Sequence, residues 1–253
     1  MCSDEAVDLP RPFVIRESTH RVHDPLTPAK LARLGEALLL RSGQQLLDLA
    51  CGSGEMLCTW AREHDISGVG VDLSSAFIDR AQARAAELGV AGRVRFEHGD
   101  ATGYVAAEPV DVASCLGATW IGDGVFGTID LLERSVRDGG LILIGEPYWV
   151  RVPATDDLAR ACHARDREEW LTLPELVSSL LAHGLDLVQM LLASPDDWDA
   201  YHGLQWLNLR RWLDANAGDE LWPELRAELD RAPTDHLVAR EHLGWGVFAL
   251  MAV

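Results

Sequence analysis

The sequence predicts a doubly wound α/β fold, a mostly parallel seven-stranded sheet with helices on both faces and a helical lid before the last strand. Two observations support this class. Short apolar runs alternate with amphipathic segments between residues 45 and 145, which is the pattern of a parallel sheet covered on both faces. A glycine turn, Gly52-Ser53-Gly54, follows the first apolar run, where such folds commonly hold a nucleotide-like ligand.

The elements of the first half alternate between strand and helix. Thr27 and Pro28 supply a cap and a first-turn proline for a helix through about Leu40. The predicted strands are Gln45–Ala50, Gly68–Asp72, Val94–His98, Val110–Leu116 and Leu141–Gly145. The predicted helices between them are Glu55–His64, Ala76–Leu88 and Phe126–Val136. Residues 1–26, interrupted by three prolines, are predicted to form an irregular arm.

The last third departs from this alternation. A helix is predicted from Thr172 to near Gly184, and the runs 185–193 and 246–253 are predicted strands. About fifty residues between those strands have helical character and are rich in Trp and Arg. An insertion of that length in a compact domain is usually a lid or a binding element.

These elements predict one domain over residues 1–253. It comprises an arm and first helix (1–40), a ligand-binding core (44–145) and lid segments (150–171 and 194–243).

Charge and cysteine content exclude several classes of function. The net charge of −18 opposes binding to nucleic acid or to an anionic membrane surface, because both depend on neutralising phosphates with Lys and Arg. Five cysteines without a C-x-x-C pair argue against a disulfide framework or a zinc site. No apolar run reaches 18 residues, and the first residues lack the blocks of a signal peptide. We therefore expect a cytoplasmic protein, monomeric or homodimeric, with no bound metal, nucleic acid or membrane.

The glycine turn distinguishes between two cofactor classes. The dinucleotide fingerprint G-x-G-x-x-G requires a third glycine, and Leu57 stands at that position. The pattern Asp48-x-Ala50-x-Gly52-x-Gly54 instead resembles the D/E-x-G-x-G-x-G signature of class I S-adenosylmethionine-dependent methyltransferases, with Ala50 in place of the first glycine.

Two later carboxylates strengthen this resemblance. Asp72 ends the second strand, 20 residues past Gly52, where a carboxylate can accept both ribose hydroxyls. Asp100-Ala101 follows the third strand and is similar to the "GDA" step of the family, whose acidic side chain accepts from the adenine amino group. The resemblance implies S-adenosylmethionine as cofactor, S-adenosylhomocysteine as product, and a set of cofactor contacts. That set is Asp48, Ala50, Cys51, Gly52, Gly54, Asp72, Leu73, Asp100, Ala101 and Leu116.

Blocks outside the shared core resemble a narrower group, the YjhP-like bacterial methyltransferases. They are "RESTHRVHDPLT" (16–27), "GATWIGDG" (117–124), "IGEPYW" (144–149) and "GWGVFAL" (244–250). This resemblance spans nearly the whole chain.

The segment after the fourth strand indicates the acceptor class. Nucleic-acid and protein amine N-methyltransferases commonly carry N/D-P-P-Y/F there, whereas this chain has "LGATW". The absence of the N/D-P-P-Y/F block argues against methylation of nucleic-acid bases or protein amides and leaves small-molecule O, N, S or C acceptors open.

Four residues are candidates for catalysis. Glu146 and Tyr148 follow the fifth strand, and Glu146 could be a general base or simply accept from backbone N–H groups. His20 and His23 lie in the arm, and histidine is the usual proton acceptor near neutral pH.

Four further residues are candidates for substrate contact: Trp120, Trp149, Trp206 and Arg210. The tryptophans could form an aromatic wall against a planar substrate or pack the core. The arginine could bind a carboxylate or face solvent.

The predicted function is in-line transfer of a methyl group from S-adenosylmethionine to a small-molecule acceptor. Two alternatives remain open at this point, a nicotinamide-dependent oxidoreductase and a non-catalytic S-adenosylmethionine-binding module.

Overall fold

One seven-stranded sheet organises the structure, a computed structural model that describes residues 8–253. The strands are β1 (Gln45–Leu49), β2 (Ser67–Asp72), β3 (Val94–His98), β4 (Val110–Leu116), β5 (Val136–Trp149), β6 (Leu185–Leu192) and β7 (Leu243–Ala252). Their order is β3-β2-β1-β4-β5-β7-β6. The first five strands are parallel, and β7 runs antiparallel to both β5 and β6. The predicted fold class is confirmed.

Helices cover both faces of this sheet. They are α1 (Arg11–Arg16), α2 (Pro28–Ala37), α3 (Glu55–His64), α4 (Ser75–Glu87), α5 (Val125–Glu133), α6 (Asp156–Ala161), α7 (Leu173–Ala182), α8 (Pro195–Ala215) and α9 (Trp222–Ala239). Side chains alternate along a strand, so successive residues of β1 face the helices on opposite faces of the sheet. Leu46 packs with the cluster of α2, α3 and α4, and Leu47 packs with the cluster of α5 and α7.

The structure corrects two predicted elements. The arm is not wholly irregular, because α1 begins after Pro10 with Pro12 in its first turn, a position that proline favours. The fifth strand is longer than Leu141–Gly145 at both ends: Val136, placed in the preceding helix by the prediction, pairs with Val110 of β4, and β7 pairs with β5 from Ile142 to Trp149.

The inserted segments gather at the carboxyl end of the sheet. Ile15 of α1 packs with Leu209 and Leu213 of α8 and with Leu225 of α9, so the arm and the inserted helices share a small core. No helix within residues 8–253 combines the length and apolar composition that crossing a bilayer requires.

A buried ion pair joins the two helices that flank the glycine turn. Glu55 of α3 is 4% exposed and accepts from Arg84 Nε of α4 at 2.7 Å and from Nη2 at 2.9 Å. Removing one partner from such a pair leaves an uncompensated buried charge, whereas removing both does not.

We therefore expect Arg84→Met to lower the free energy of unfolding by about 3–5 kcal/mol, measured by urea denaturation. The double variant Glu55→Gln/Arg84→Met should recover part of that loss. A loss below about 1 kcal/mol in the single variant would show that the pair contributes no more than a surface ion pair.

Candidate active site

The turn after β1 has an unusual backbone. Ala50, Gly52 and Gly54 all have positive φ, at 57°, 53° and 69°. Gly52 is also required by a close approach, since a Cβ there would lie 2.5 Å from His23 Cδ2 of the arm. Ala50 takes the left-handed conformation without the freedom of glycine, so the turn carries local strain.

Asp72 holds this turn in place. The buried carboxylate accepts from Gly52 N at 2.7 Å and from Ser74 N at 2.8 Å, so it joins the end of β2 to the turn after β1. Burial raises the pKa of Asp72. Asp48 lies buried nearby and accepts from Ser114 Oγ at 2.7 Å, and burial, together with the charge of Asp72, raises its pKa to about 7.

Two cavities lie at these strand ends. The β2 cavity, of about 120 Å³, is lined by Asp72, Leu73, Phe77, Ala101 and Trp120, among others. The β1 cavity, of about 50 Å³, is lined by Arg21, Asp48, Cys51, Glu55 and Met56, among others. Ala50, Gly52 and Leu116 line both, so the two cavities adjoin along the turn.

A third and larger cavity lies beneath the inserted helices. This lid cavity, of about 580 Å³, has four tryptophans in its lining, Trp170, Trp198, Trp206 and Trp245. His202 stacks on Trp198 with ring centroids 5.5 Å apart, and burial lowers the pKa of His202 to about 4, so its ring is neutral at pH 7.

The charged residues that α9 and α1 contribute to the lid cavity are compensated. Arg16 pairs with Glu228 at 2.9 Å, and Arg231 lies 3.7 Å from Asp235.

Residues of the arm border the lid cavity and both of the smaller ones. His23 and Asp24 are the residues that line all three cavities, and Gly117 lines both the lid cavity and the β2 cavity. The three cavities therefore meet at the arm, above the carboxyl end of β4.

The Glu17 carboxylate anchors the arm there. Glu17 is 0% exposed and accepts from Tyr201 Oη at 3.0 Å, from Gln205 Nε2 at 2.6 Å and from His23 Nδ1 at 3.1 Å. His20 Nδ1 lies 3.3 Å from the same carboxylate. Burial alone would raise the pKa of Glu17, but the hydrogen bond from His23 and the nearby histidines outweigh it and leave the pKa lowered.

Comparison with known proteins decides the family. A family model described as a methyltransferase domain matches residues 46–140. YjhP of Escherichia coli (strain K12) is 52% identical over 247 residues, which cover 97% of this chain and 100% of YjhP.

Two solved structures agree with these matches. One is a SAM-dependent methyltransferase from Geobacter sulfurreducens in complex with S-adenosyl-L-homocysteine. It is 56% identical to this chain with a TM-score of 0.97, and the match covers 98% of this chain and 100% of the Geobacter chain. The other is a SAM-dependent methyltransferase from Thiobacillus denitrificans, also in complex with S-adenosyl-L-homocysteine. It is 56% identical with a TM-score of 0.95, and the match covers 97% of this chain and 100% of the Thiobacillus chain. This chain belongs to the YjhP-like family of S-adenosylmethionine-dependent methyltransferases.

Most of the cofactor contacts predicted for this methyltransferase lie together. Eight of the ten line the β1 or β2 cavity: Asp48, Ala50, Cys51, Gly52, Asp72, Leu73, Ala101 and Leu116. Gly54 is instead the N-cap of α3, against the Phe96 ring. Asp100 is exposed and accepts from Thr102 N at 2.8 Å. Both lie outside the lining of these two cavities.

The predicted catalytic residues are divided between two places. His23 lines all three cavities, with Nδ1 donating to Glu17 and Nε2 2.8 Å from Ser53 Oγ, while His20 Nε2 donates to the Tyr201 carbonyl at 3.0 Å. Glu146 and Tyr148 share one face of β5, away from Pro147, which lines the lid cavity. Burial raises the pKa of Glu146 to about 7.

The predicted substrate contacts are also divided. Trp206 lines the lid cavity, whereas Trp120, 58% exposed, lines the β2 cavity. Trp149 is buried and donates from Nε1 to the Arg167 carbonyl at 3.0 Å. Arg210 is exposed and pairs with Asp214 at 2.7 Å.

Sequence reasoning missed Asp24 and Glu17. Both belong to the arm block "RESTHRVHDPLT", so the resemblance to the YjhP-like group already contained them. Their roles were not visible, because the partners of Glu17 lie 184 and 188 residues away on α8.

We expect Glu17→Gln to lower the free energy of unfolding at pH 7 by about 1–3 kcal/mol, because an amide cannot accept from all these donors. The lowered pKa gives the sign of the pH dependence. The stabilisation is present above the unfolded-state pKa of about 4.3 and is lost as the pH falls through the lower folded-state value. The difference between wild type and variant, measured by urea denaturation, should therefore shrink below about pH 4.

Glu228→Gln is the matched control, because Glu228 joins the same arm to α9 through the partly exposed Arg16. We expect a loss of no more than about 1 kcal/mol there. Equal losses in the two variants would contradict the central role of Glu17.

Proposed function

We propose that this enzyme methylates a small-molecule acceptor held in the lid cavity, with S-adenosylmethionine in the adjoining β1 and β2 cavities. The meeting of the three cavities at Asp24 and His23 carries the proposal, because a molecule in the lid cavity can reach the cofactor there. The lid cavity, at about 580 Å³, has the size of a small-molecule site, typically about 300–1,000 Å³.

The residues that line the two smaller cavities match the parts of the cofactor in their chemistry. Each Asp72 oxygen already accepts one backbone N–H and keeps a second lone pair, so the carboxylate can accept the ribose hydroxyls. Leu73, Phe77 and Ala101 supply apolar surface for the adenine ring. The Asp48 and Cys51 side of the turn would take the methionine portion. The cofactor supplies an activated methyl group on a sulfonium.

The protein contributes alignment and exclusion of water. Methyl transfer needs the acceptor atom about 3 Å from the methyl carbon and in line with its bond to sulfur. Arm and inserted helices together enclose the junction, and a dry site favours a charge-neutralising step. The lid wall favours an acceptor with a planar or apolar body, because the tryptophans present flat apolar faces and His202 is neutral.

Formation of S-adenosylhomocysteine tests the proposal. The purified protein is incubated with S-adenosylmethionine and a panel of small phenols, amines, thiols and carboxylates, with tRNA and a protein mixture as macromolecular acceptors. We expect product only with members of the small-molecule panel. Product only with tRNA or protein would contradict it, and cofactor binding without product from any acceptor would favour a non-catalytic module. Tight NAD binding without S-adenosylmethionine binding would favour an oxidoreductase.

Asp72→Ala should weaken S-adenosylhomocysteine binding by about 1–3 kcal/mol, roughly five- to 150-fold, because ribose and Gly52 N lose their acceptor. Isothermal titration calorimetry measures the change. Asp79→Ala, an exposed position on α4, is the control. Unchanged affinity in folded Asp72→Ala would contradict the assigned ribose site.

Trp206→Ala should raise the acceptor KM about tenfold or more, because it removes part of the lid wall, while leaving S-adenosylhomocysteine affinity within about twofold. Leu207→Ala is the matched control, since Leu207 follows on α8, is 42% exposed and lies outside the lining of the lid cavity. Steady-state kinetics on the best acceptor of the panel measures both. An unchanged KM in Trp206→Ala would place the acceptor elsewhere.

A further inference from the structure

We infer that Asp24 recognises the positive charge of S-adenosylmethionine and thereby distinguishes the methyl donor from the product, whose sulfur is neutral. The inference rests on the proposed placement of the cofactor in the β1 and β2 cavities. It concerns a different property, the selectivity of that site between its two ligands.

The position of Asp24 is the first argument. The methionine and adenosine portions of the cofactor meet at sulfur, and the methyl group leaves sulfur towards the acceptor. The sulfonium must therefore lie where the β1, β2 and lid cavities meet. Asp24 lines all three, and His23 is the other residue that does so.

Local backbone geometry brings the carboxylate to this junction. Gly117 follows β4 with a φ of 74°, and a Cβ there would lie 2.2 Å from Asp24 Oδ1. Only glycine permits this approach, since any side chain would displace the carboxylate. Pro25 follows Asp24 in the chain, and the Tyr201 hydroxyl lies beside the arm at this point, 3.2 Å from the His23 carbonyl oxygen.

The carboxylate has no partner of its own. Within residues 8–253, no donor bonds to the Asp24 side chain and no basic side chain pairs with it. Its neighbour His23 is fully engaged by Glu17 and Ser53. Asp24 is half-buried, and a carboxylate that is partly removed from water and has no partner gains from a nearby cation or from a proton.

The surrounding groups add negative charge. Burial raises the pKa of Asp24 to about 7, and the charges of Glu17 in the arm and Asp48 of β1, which face it, act in the same direction. Tyr201 of α8 and Cys115 of β4 also face it, and both are neutral at pH 7 because burial raises their pKa values. Arg21, which lines the β1 cavity, is half exposed and lies 3.8 Å from Glu87. A cationic ligand would supply the compensation that this junction lacks.

Two consequences separate the donor from the product. The sulfonium favours ionised Asp24, so binding of S-adenosylmethionine should release a proton near pH 6.5 and tighten from pH 6 to 7.5. The thioether of S-adenosylhomocysteine gives no such gain. Loss of the charge after transfer removes the attraction and assists product release.

Calorimetry with the two ligands tests this without any acceptor. Kd values for S-adenosylmethionine and S-adenosylhomocysteine are measured at pH 6.0 and 7.5 for wild type, Asp24→Asn and Asp79→Asn. We expect Asp24→Asn to weaken S-adenosylmethionine binding about tenfold at pH 7.5 and S-adenosylhomocysteine binding less than twofold. Asp79→Asn removes one charge from an exposed site on α4, so it controls for net charge. The amino group of the ligands titrates identically in all three proteins and cancels in the comparison.

Proton release from the wild type provides a second measurement that does not depend on the variant folding. Titrations at pH 6.5 in two buffers of different ionisation enthalpy should show more protons released with S-adenosylmethionine than with S-adenosylhomocysteine. Equal effects of Asp24→Asn on both ligands, or equal proton release by both, would overturn the inference and leave the proposed function standing. Failure of the wild type to bind either ligand would overturn both.

Discussion

The buried Glu17 carboxylate joins three parts of the molecule that are distant in the chain. It accepts from His23 in the arm and from Tyr201 and Gln205 on α8, while His23 in turn contacts Ser53 in the glycine turn. The boundary between the cofactor cavities and the lid cavity therefore depends on one ionised group. Because Glu17 is fully buried, its charge is tolerated only while these donors remain in place.

The fold also concentrates carboxylates where the proposed chemistry needs them. Parallel strands end at one edge of the sheet, so Asp48 of β1 and Asp72 of β2 lie close together, and the arm adds Asp24. Burial raises the pKa of each of the three. Such a site disfavours its own empty, ionised state and gains from a ligand that carries positive charge. The strong net negative charge of the chain thus has a local counterpart at the proposed cofactor site.

The central elements were predictable from local pattern. Strand and helix limits from β1 to β4 agree with the sequence within one or two residues, because apolar runs and caps of that kind depend on near neighbours. The fold class and the family are confirmed. The two corrected elements depended on contacts that the local pattern does not contain: α1 packs on α8, and β5 is extended by pairing with β7.

Single residues of the site show the same contrast between what the local pattern indicates and what distant contacts decide. The spacing of the glycine turn, with Asp72 and Asp100, was enough to indicate the cofactor class, because turn chemistry and strand ends are encoded within a few residues. The local pattern did not indicate where Glu146 and Tyr148 lie relative to the cavities, because a one-residue step along β5 moves a side chain to the other face of the sheet. Asp24 and Glu17 acquire their environment only when the arm folds against α8 and Gly117, contacts that span most of the chain. Local composition thus specifies the cofactor-binding core, whereas long-range packing creates the junction at which the acceptor is proposed to meet it.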